Sequence, residues 1–409
     1  MTIKINKNID EYIVRKYTKE LEGTTDKTVY DLFKWKKVDV QLIDYKTKTT
    51  LYDERDLEFP EDYSQTACDI IAQKYFKRAN VPITESGKEN SLKQVIHRMV
   101  RFWMESGLDE GLLTEKTAKI FYDEVVYMML DQRFAPNSPQ WFNTGLKYYD
   151  TGEGSDGHYY YDIKDKVVKQ SKDKYTRTQA SACFILSIED KLLGAKSLSQ
   201  QYITETRLFK HGSGTGTNFS TIRAEGEKLS GGGVSSGLLS FLKGLDKNAG
   251  AIKSGGTTRR AAKMLQLDVN HPEILDYITW KTQQEQIVRD LGKMGYDIGF
   301  DGIAYDTVSG QNGNNTVRFD DEFMLKAYAY VTKGIDCEYE LIGRVDKSVN
   351  RMEKVSTIWN TMCQCTWNCA DPAPSFDGTY NAWHTCPSGE DGVKGAKYNR
   401  INSTNPLSI

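Results

Sequence analysis

The chain has 409 residues, with 54 Lys+Arg against 56 Asp+Glu, a net charge of −2 and 39% hydrophobic residues. That length admits two or three domains with a sizeable core, and the balanced charge argues against bulk electrostatic binding to nucleic acid and against a disordered acidic tail. Seven cysteines are too few for a disulfide scaffold, and no run of about 18 apolar residues offers a membrane span, so a reduced, cytoplasmic protein with no nucleic-acid and no membrane partner is expected. The opening MTIKINKNIDEY lacks the apolar stretch of a secretory leader.

Residues 1–90 are rich in Lys and Tyr, with short apolar pieces such as Val40, Leu42 and Ile43, and read as a small mixed region. The spacing of Leu92, Val95, Ile96, Met99, Val100 and Trp103 predicts a helix over 91–107, capped by Ser91 and ended by Gly107. Thr114 caps a second helix with Ala118, Phe121, Val125, Met128 and Met129 as its stripe, which stops before Pro136. The polar stretch 146–180, lysine-rich at 164–174, reads as a surface loop. From there the rhythm alternates: a buried strand at 183–188, a helix through 192–209, a helix from Leu238 to Leu245, a strand at 264–269, and a helix capped by Asn270 with Ile274, Leu275 and Ile278 inward. Such alternation predicts an α/β fold with parallel strands. The expected division is 1–90, a helical domain with its polar loop at 91–175, and an α/β part at 176–409.

Several motifs carry chemistry, each beside a plainer reading. In GSGTGTN (212–218) alternate glycines let backbone approach a ligand, or make a tight turn; it is neither a Walker A loop nor a dinucleotide fingerprint. SGGTTRRAAKM (254–264) sets Gly255 and Gly256 before Thr257, Thr258, Arg259, Arg260 and Lys263, a pattern suited to phosphate, or else a solvated basic turn. APNSPQWFNTG (135–145) aims Asn137 and Ser138 between two prolines, or simply ends a helix. Cys183, at the head of a buried strand next to Ala182, reads as a small hydrophobe. Cys363, Cys365, Cys369 and Cys386, with His384, could hold zinc, but their spacing matches no familiar zinc pair, and no metal site is expected.

Taken together with ASACFILSIED, DVNHPEILDYITWK, TVSGQNGNNTVR and NAWHTCPSG, these segments resemble the adenosylcobalamin-dependent (class II) ribonucleotide reductases from about residue 120 to 406. The resemblance implies an N-terminal helical region followed by the first half of a ten-stranded α/β barrel. It implies adenosylcobalamin as cofactor, a ribonucleotide substrate, a nucleoside triphosphate effector and a thioredoxin-like reductant, with a homodimer as an option. Ser138, Ala182, Cys183, Gly214 and Asn405 match substrate-site positions, and Cys183 matches the first cysteine of the reducing pair. Asp190 and Arg223 match the effector site, and 255–263 the loop that relays effector identity. The family reads N-P-C-S-E where this chain reads Asn405-Pro406-Leu407-Ser408-Ile409, so Leu407 and Ile409 replace the radical cysteine and the catalytic glutamate. The expectation is therefore part of a reductase that needs a complementing C-terminal polypeptide, with a catalytically dead nucleotide-binding regulatory subunit as the alternative.

Overall fold

A computed structural model describes residues 12–44, 48–150, 154, 158–252, 261–299, 302–385 and 400–405. The chain divides into two compact units, Met1–Ser181 and Ala182–Ile409.

In the first unit, β1 (Trp35–Ile43) and β2 (Thr50–Pro60) form an antiparallel hairpin beside α1 (Gln65–Tyr75). Both predicted helices are present. In α2 (Leu92–Asp109) Ser91 and Gln94 complete a capping box, and Thr114 caps α3 (Glu115–Leu130). One core joins Val40, Leu57 and Phe59 of the hairpin to Val95, Ile96 and Met99 of α2 and Val126 and Met129 of α3. Residues on both sides of position 90 therefore share a single core. The short α4 (Ser138–Asn143) starts inside the proline-bracketed motif. The stretch expected to be a loop contains a hairpin, β3 (Tyr159–Asp162) with β4 (Val167–Gln170). Its polar composition hid it. Asp162 accepts the amides of Lys164 and Asp165 at 3.0 Å and builds the turn.

The second unit is organised by a parallel sheet. Its strands are β5 (Cys183–Leu186), β6 (Gly214–Asn218), β7 (Lys263–Asp268), β8 (Gly313–Phe319) and β11 (Ala373–Phe376), in the spatial order β11-β8-β7-β6-β5. Between them run α5 (Leu198–Lys210), α6 (Leu238–Ala251), α7 (Ile274–Lys293), α8 (Ile303–Thr307), α9 (Asp321–Lys333) and α10 (Val355–Cys369), with the small hairpin β9 (Glu338–Leu341) and β10 (Arg351–Lys354); α11 (Asp377–Ala382) follows β11. Parallel neighbours need such crossovers, which is what the sequence alternation signalled. Leu242, Leu265, Leu267, Ile278, Val317, Phe319 and Ile358 are fully buried in one core, each contributing about 1.5–3 kcal/mol of burial.

Three local readings change. The glycine run is a buried strand over Gly214–Asn218, because parallel partners on both sides complete its backbone hydrogen bonds. α5 begins at Leu198, where Ser197 caps it by accepting the Gln200 amide. α7 begins after Glu273; Asn270 instead accepts a hydrogen bond from Arg344 at 2.8 Å. No helix among the described residues is long and apolar enough to cross a membrane.

Candidate active site

Along in-register strands the side chains sort onto two faces. Thr217, Lys263, Leu265, Val317 and Phe319 face the helices. The register pairs Cys183 with Gly214, Gly216 with Met264, Gln266 with Thr316, and Ser375 with Arg318, and this set lies on the other face. Residues 400–405 run over that face. Asn218 Nδ2 donates to the Asn402 carbonyl at 3.0 Å, and Arg318 Nη1 donates to Asn402 Oδ1 at 2.6 Å. A Cβ on Gly216 would stand 1.8 Å from the Thr404 carbonyl oxygen and 3.2 Å from Asn405 Cα, so the close approach requires glycine.

Four of the expected site residues thus belong to one neighbourhood. The Gly214 amide donates to the Ala182 carbonyl at 2.6 Å, Cys183 pairs in register with Gly214, and Asn405 lies against Gly216 on the same strand. Cys183 is half-buried and makes no disulfide with another described cysteine. Ser138 belongs to the first unit, at the start of α4, with its hydroxyl 3.2 Å from that of Tyr75. Buried Arg98, paired with Glu89 at 2.8 Å, donates to the carbonyls of Trp141 and Thr144 at 2.7 Å and fixes that turn.

Asp190 and Arg223 are brought together: Arg223 Nε donates to Asp190 Oδ2 at 2.6 Å, Nη1 donates to the Lys228 carbonyl at 2.9 Å, and each side chain is about one-fifth exposed. Gly255, Gly256, Thr257, Thr258, Arg259 and Arg260 lie outside the described residues, as do Cys386, Leu407 and Ile409. Lys263, expected in the phosphate-suited loop, is instead the first residue of β7. Its ammonium is buried on the helix side, 2.6 Å from Glu205 Oε2, with both side chains 1% exposed. Glu205 also accepts from Gln201 Nε2 at 2.9 Å, and Gln201 bonds Thr217 at 2.9 Å. Burial would strand an unpaired ammonium here, so the cation is committed to Glu205.

The three described cysteines of α10 diverge. Cys363 is exposed, Cys365 is buried in the core, and Cys369 donates to the Cys365 and Asp371 carbonyls at 3.4 Å. Sequence reasoning missed Asn218, Arg318, Asp377 and Asn381, which surround residues 401–402. The signal was there for three of them: Asn218 ends GSGTGTN, Arg318 ends TVSGQNGNNTVR and Asn381 begins NAWHTCPSG.

The loops beside the site are fixed by buried groups. Glu227 accepts the amides of Ala224, Arg344, Val345 and Asp346 at 2.6–3.1 Å. Burial pushes its pKa up, but the amides outweigh that and hold it low. His271 donates through Nε2 to the Ile222 carbonyl at 2.9 Å and accepts the Glu273 amide on Nδ1 at 3.1 Å. Burial lowers its pKa to about 4.

A family model described as the barrel domain of ribonucleotide reductase matches residues 181–407, more than half of the chain. A second, described as class II vitamin B12-dependent ribonucleotide reductase, matches residues 37–132. Vitamin B12-dependent ribonucleotide reductases of Bradyrhizobium diazoefficiens and Streptomyces coelicolor are 37% and 38% identical over 86% and 93% of this chain. The vitamin B12-dependent ribonucleoside-diphosphate reductase of Thermoplasma acidophilum is 25% identical over 74% of it. The chain spans about a third of the length of these relatives, 33–35%.

Proposed function

Because the chain belongs to the class II, vitamin B12-dependent ribonucleotide reductases, we propose that it is the substrate- and effector-binding portion of an enzyme that reduces ribonucleotides to 2′-deoxyribonucleotides, built on the first half of a ten-stranded barrel. The observation that carries the reading is the placement of Cys183 in register with Gly214, on the sheet face over which residues 400–405 run. Reduction at the ribose 2′ carbon removes the hydroxyl as water and needs two electrons. Two thiols supply them by closing to a disulfide, which a thioredoxin-like reductant reopens. Cys183 is proposed as one of those thiols. The backbone at Gly214 comes close to the ligand because no side chain intervenes, and Ser138 and Asn405 are proposed as further substrate contacts. Asp190 and Arg223 are proposed to hold a nucleoside triphosphate effector, with residues 255–262, ahead of β7, as the relay.

The cofactor of this family is adenosylcobalamin. The strip of sheet face beside Cys183, as the described residues form it, does not fit a corrin. The face beside Cys183 is filled at Gly216 by the Thr404 carbonyl, and further along by contacts between Gln266 and Ser375 and between Thr316 and Met264. No step is therefore routed through it. Leu407 and Ile409 offer neither a thiol nor a carboxylate, which supports a complementing polypeptide that supplies both. The same two residues beside a formed Asp190–Arg223 pair favour a second reading, a nucleotide-binding regulatory subunit without catalysis.

The test is turnover with adenosylcobalamin and a dithiol. The 409-residue chain alone should give no deoxynucleotide. Product should appear when a polypeptide carrying the N-P-C-S-E continuation is added, and should disappear with Cys183→Ser. Product from the chain alone would overturn the need for a partner, and none in the complemented mixture would favour the regulatory reading.

A further inference from the structure

We infer that Arg318, Asp377 and Asn381 form a clamp that sets the register of residues 401–405 across the sheet, and so act as positioning residues for the site. The inference rests on the reductase reading, which gives Asn405 its role.

Ile401 is held at both backbone groups by side chains. Asn381 Oδ1 accepts its amide at 2.9 Å, and its carbonyl accepts from Arg318 Nη2 at 3.0 Å and from Asn381 Nδ2 at 3.3 Å. Arg318 projects from β8, is 8% exposed, and is ion-paired to Asp377. Asp377 and Asn381 stand four residues apart on α11, where Asn381 Nδ2 also donates to the Asp377 carboxylate at 2.9 Å. Arg400 closes on the other Asp377 oxygen at 2.7 Å. The segment makes no strand ladder with the sheet, since β6 already pairs with β5 and β7. Its position along the face is therefore decided by these side chains and by the gap over Gly216. A slip of one residue would bring a different peptide group over that gap and carry Asn405 about 3.3 Å away. Because the hold is charge-assisted and made by side chains, it can open without breaking the sheet.

Amide exchange of the full chain, read by mass spectrometry, tests this with no nucleotide present. Arg318→Lys keeps a charge opposite Asp377 but cannot donate to both Ile401 and Asn402, because an ammonium lacks the guanidinium fork. Asn381→Ala removes the acceptor for the Ile401 amide. Both variants should exchange the Ile401 amide, the one held by Asn381, at least about tenfold faster than the parent, with amides of β7 and β8 changed less than about twofold. Unchanged exchange at the Ile401 amide, or acceleration spread equally over β7 and β8, would overturn the clamp and leave Arg318 an ordinary structural residue. Because the readout needs neither nucleotide nor cofactor, failure of the clamp and failure of the reductase reading are distinguishable.

Discussion

Replacing Lys263 by methionine should destabilise the second unit rather than weaken nucleotide binding. The residue sits in a basic, glycine-led stretch, which suggests a phosphate-binding cation, yet its ammonium is 2.6 Å from Glu205 with both side chains 1% exposed. Lys263→Met leaves the Glu205 carboxylate buried with only the Gln201 amide, 2.9 Å away, and a distant hydroxyl of Thr215 at 3.5 Å. Breaking a buried pair by removing one partner costs about 3–5 kcal/mol. Against a domain stability of about 5–15 kcal/mol, that is a large fraction. The double variant Lys263→Met/Glu205→Leu removes both charges and should regain most of the loss, because well-packed apolar replacements of buried pairs are close to neutral. Urea titration read through protected amides of β6, β7 and β8 isolates this unit, since two units need not unfold together. If Lys263→Met stayed within about 1 kcal/mol of the parent while nucleotide affinity fell tenfold, the burial argument would be refuted and the lysine restored to the ligand.

Two further outcomes are expected. Arg223→Glu should weaken nucleoside triphosphate binding by about 1.5–3 kcal/mol, roughly 10- to 150-fold in calorimetry, by placing a carboxylate opposite Asp190 where a charge-assisted contact stood; equal affinity would remove Arg223 from the effector site. His271 gives a pH dependence whose sign is fixed. Its folded pKa of about 4 lies below the ordinary value near 6.5, so its stabilisation is complete above about pH 6.5 and is lost as pH falls towards 4, by up to about 3 kcal/mol. His271→Gln should flatten that part of the stability profile relative to the parent, and parallel profiles for the two would refute it.

Local rules located what local forces decide. Ser91 and Thr114 announce α2 and α3 because a cap and an amphipathic stripe are written within a few residues. The alternation after residue 181 announces parallel strands because crossovers must be helical. The glycine run 212–218 misleads for a physical reason: glycine in isolation favours turns, and only neighbours on both sides make Gly214–Asn218 a strand. Lys263 misleads because its partner lies 58 residues away on α5. Asp190 and Arg223 are 33 residues apart, and their ion pair is formed only by the folded unit. The clamp around Ile401 was not legible, since it is made by β8, α11 and a segment that come together only in the folded unit.

The motif-rich stretches divide by what their side chains hold. Asp246 accepts the amides of Gly310 and Asn312 at 2.7 and 2.8 Å, which anchors the SGQNG turn to α6. Glu273 accepts the amides of Leu238 and Glu225 at 2.8 and 3.1 Å, and so ends the glycine-dense loop at the start of α6. Glu227 ties the loop after β6 to the loop after β9. Each is a carboxylate committed to backbone N–H groups, a bond stronger than one between neutral partners and costly to leave unmade once buried. Such anchors fix loops whose own sequences, dense in glycine and serine, would otherwise sample many conformations. The residues proposed to touch a ligand are few and include Cys183, Gly214 and Arg223. The long motifs that surround them hold backbone in place, and the reduction proposed above would tolerate little displacement of the strands and loops on either side.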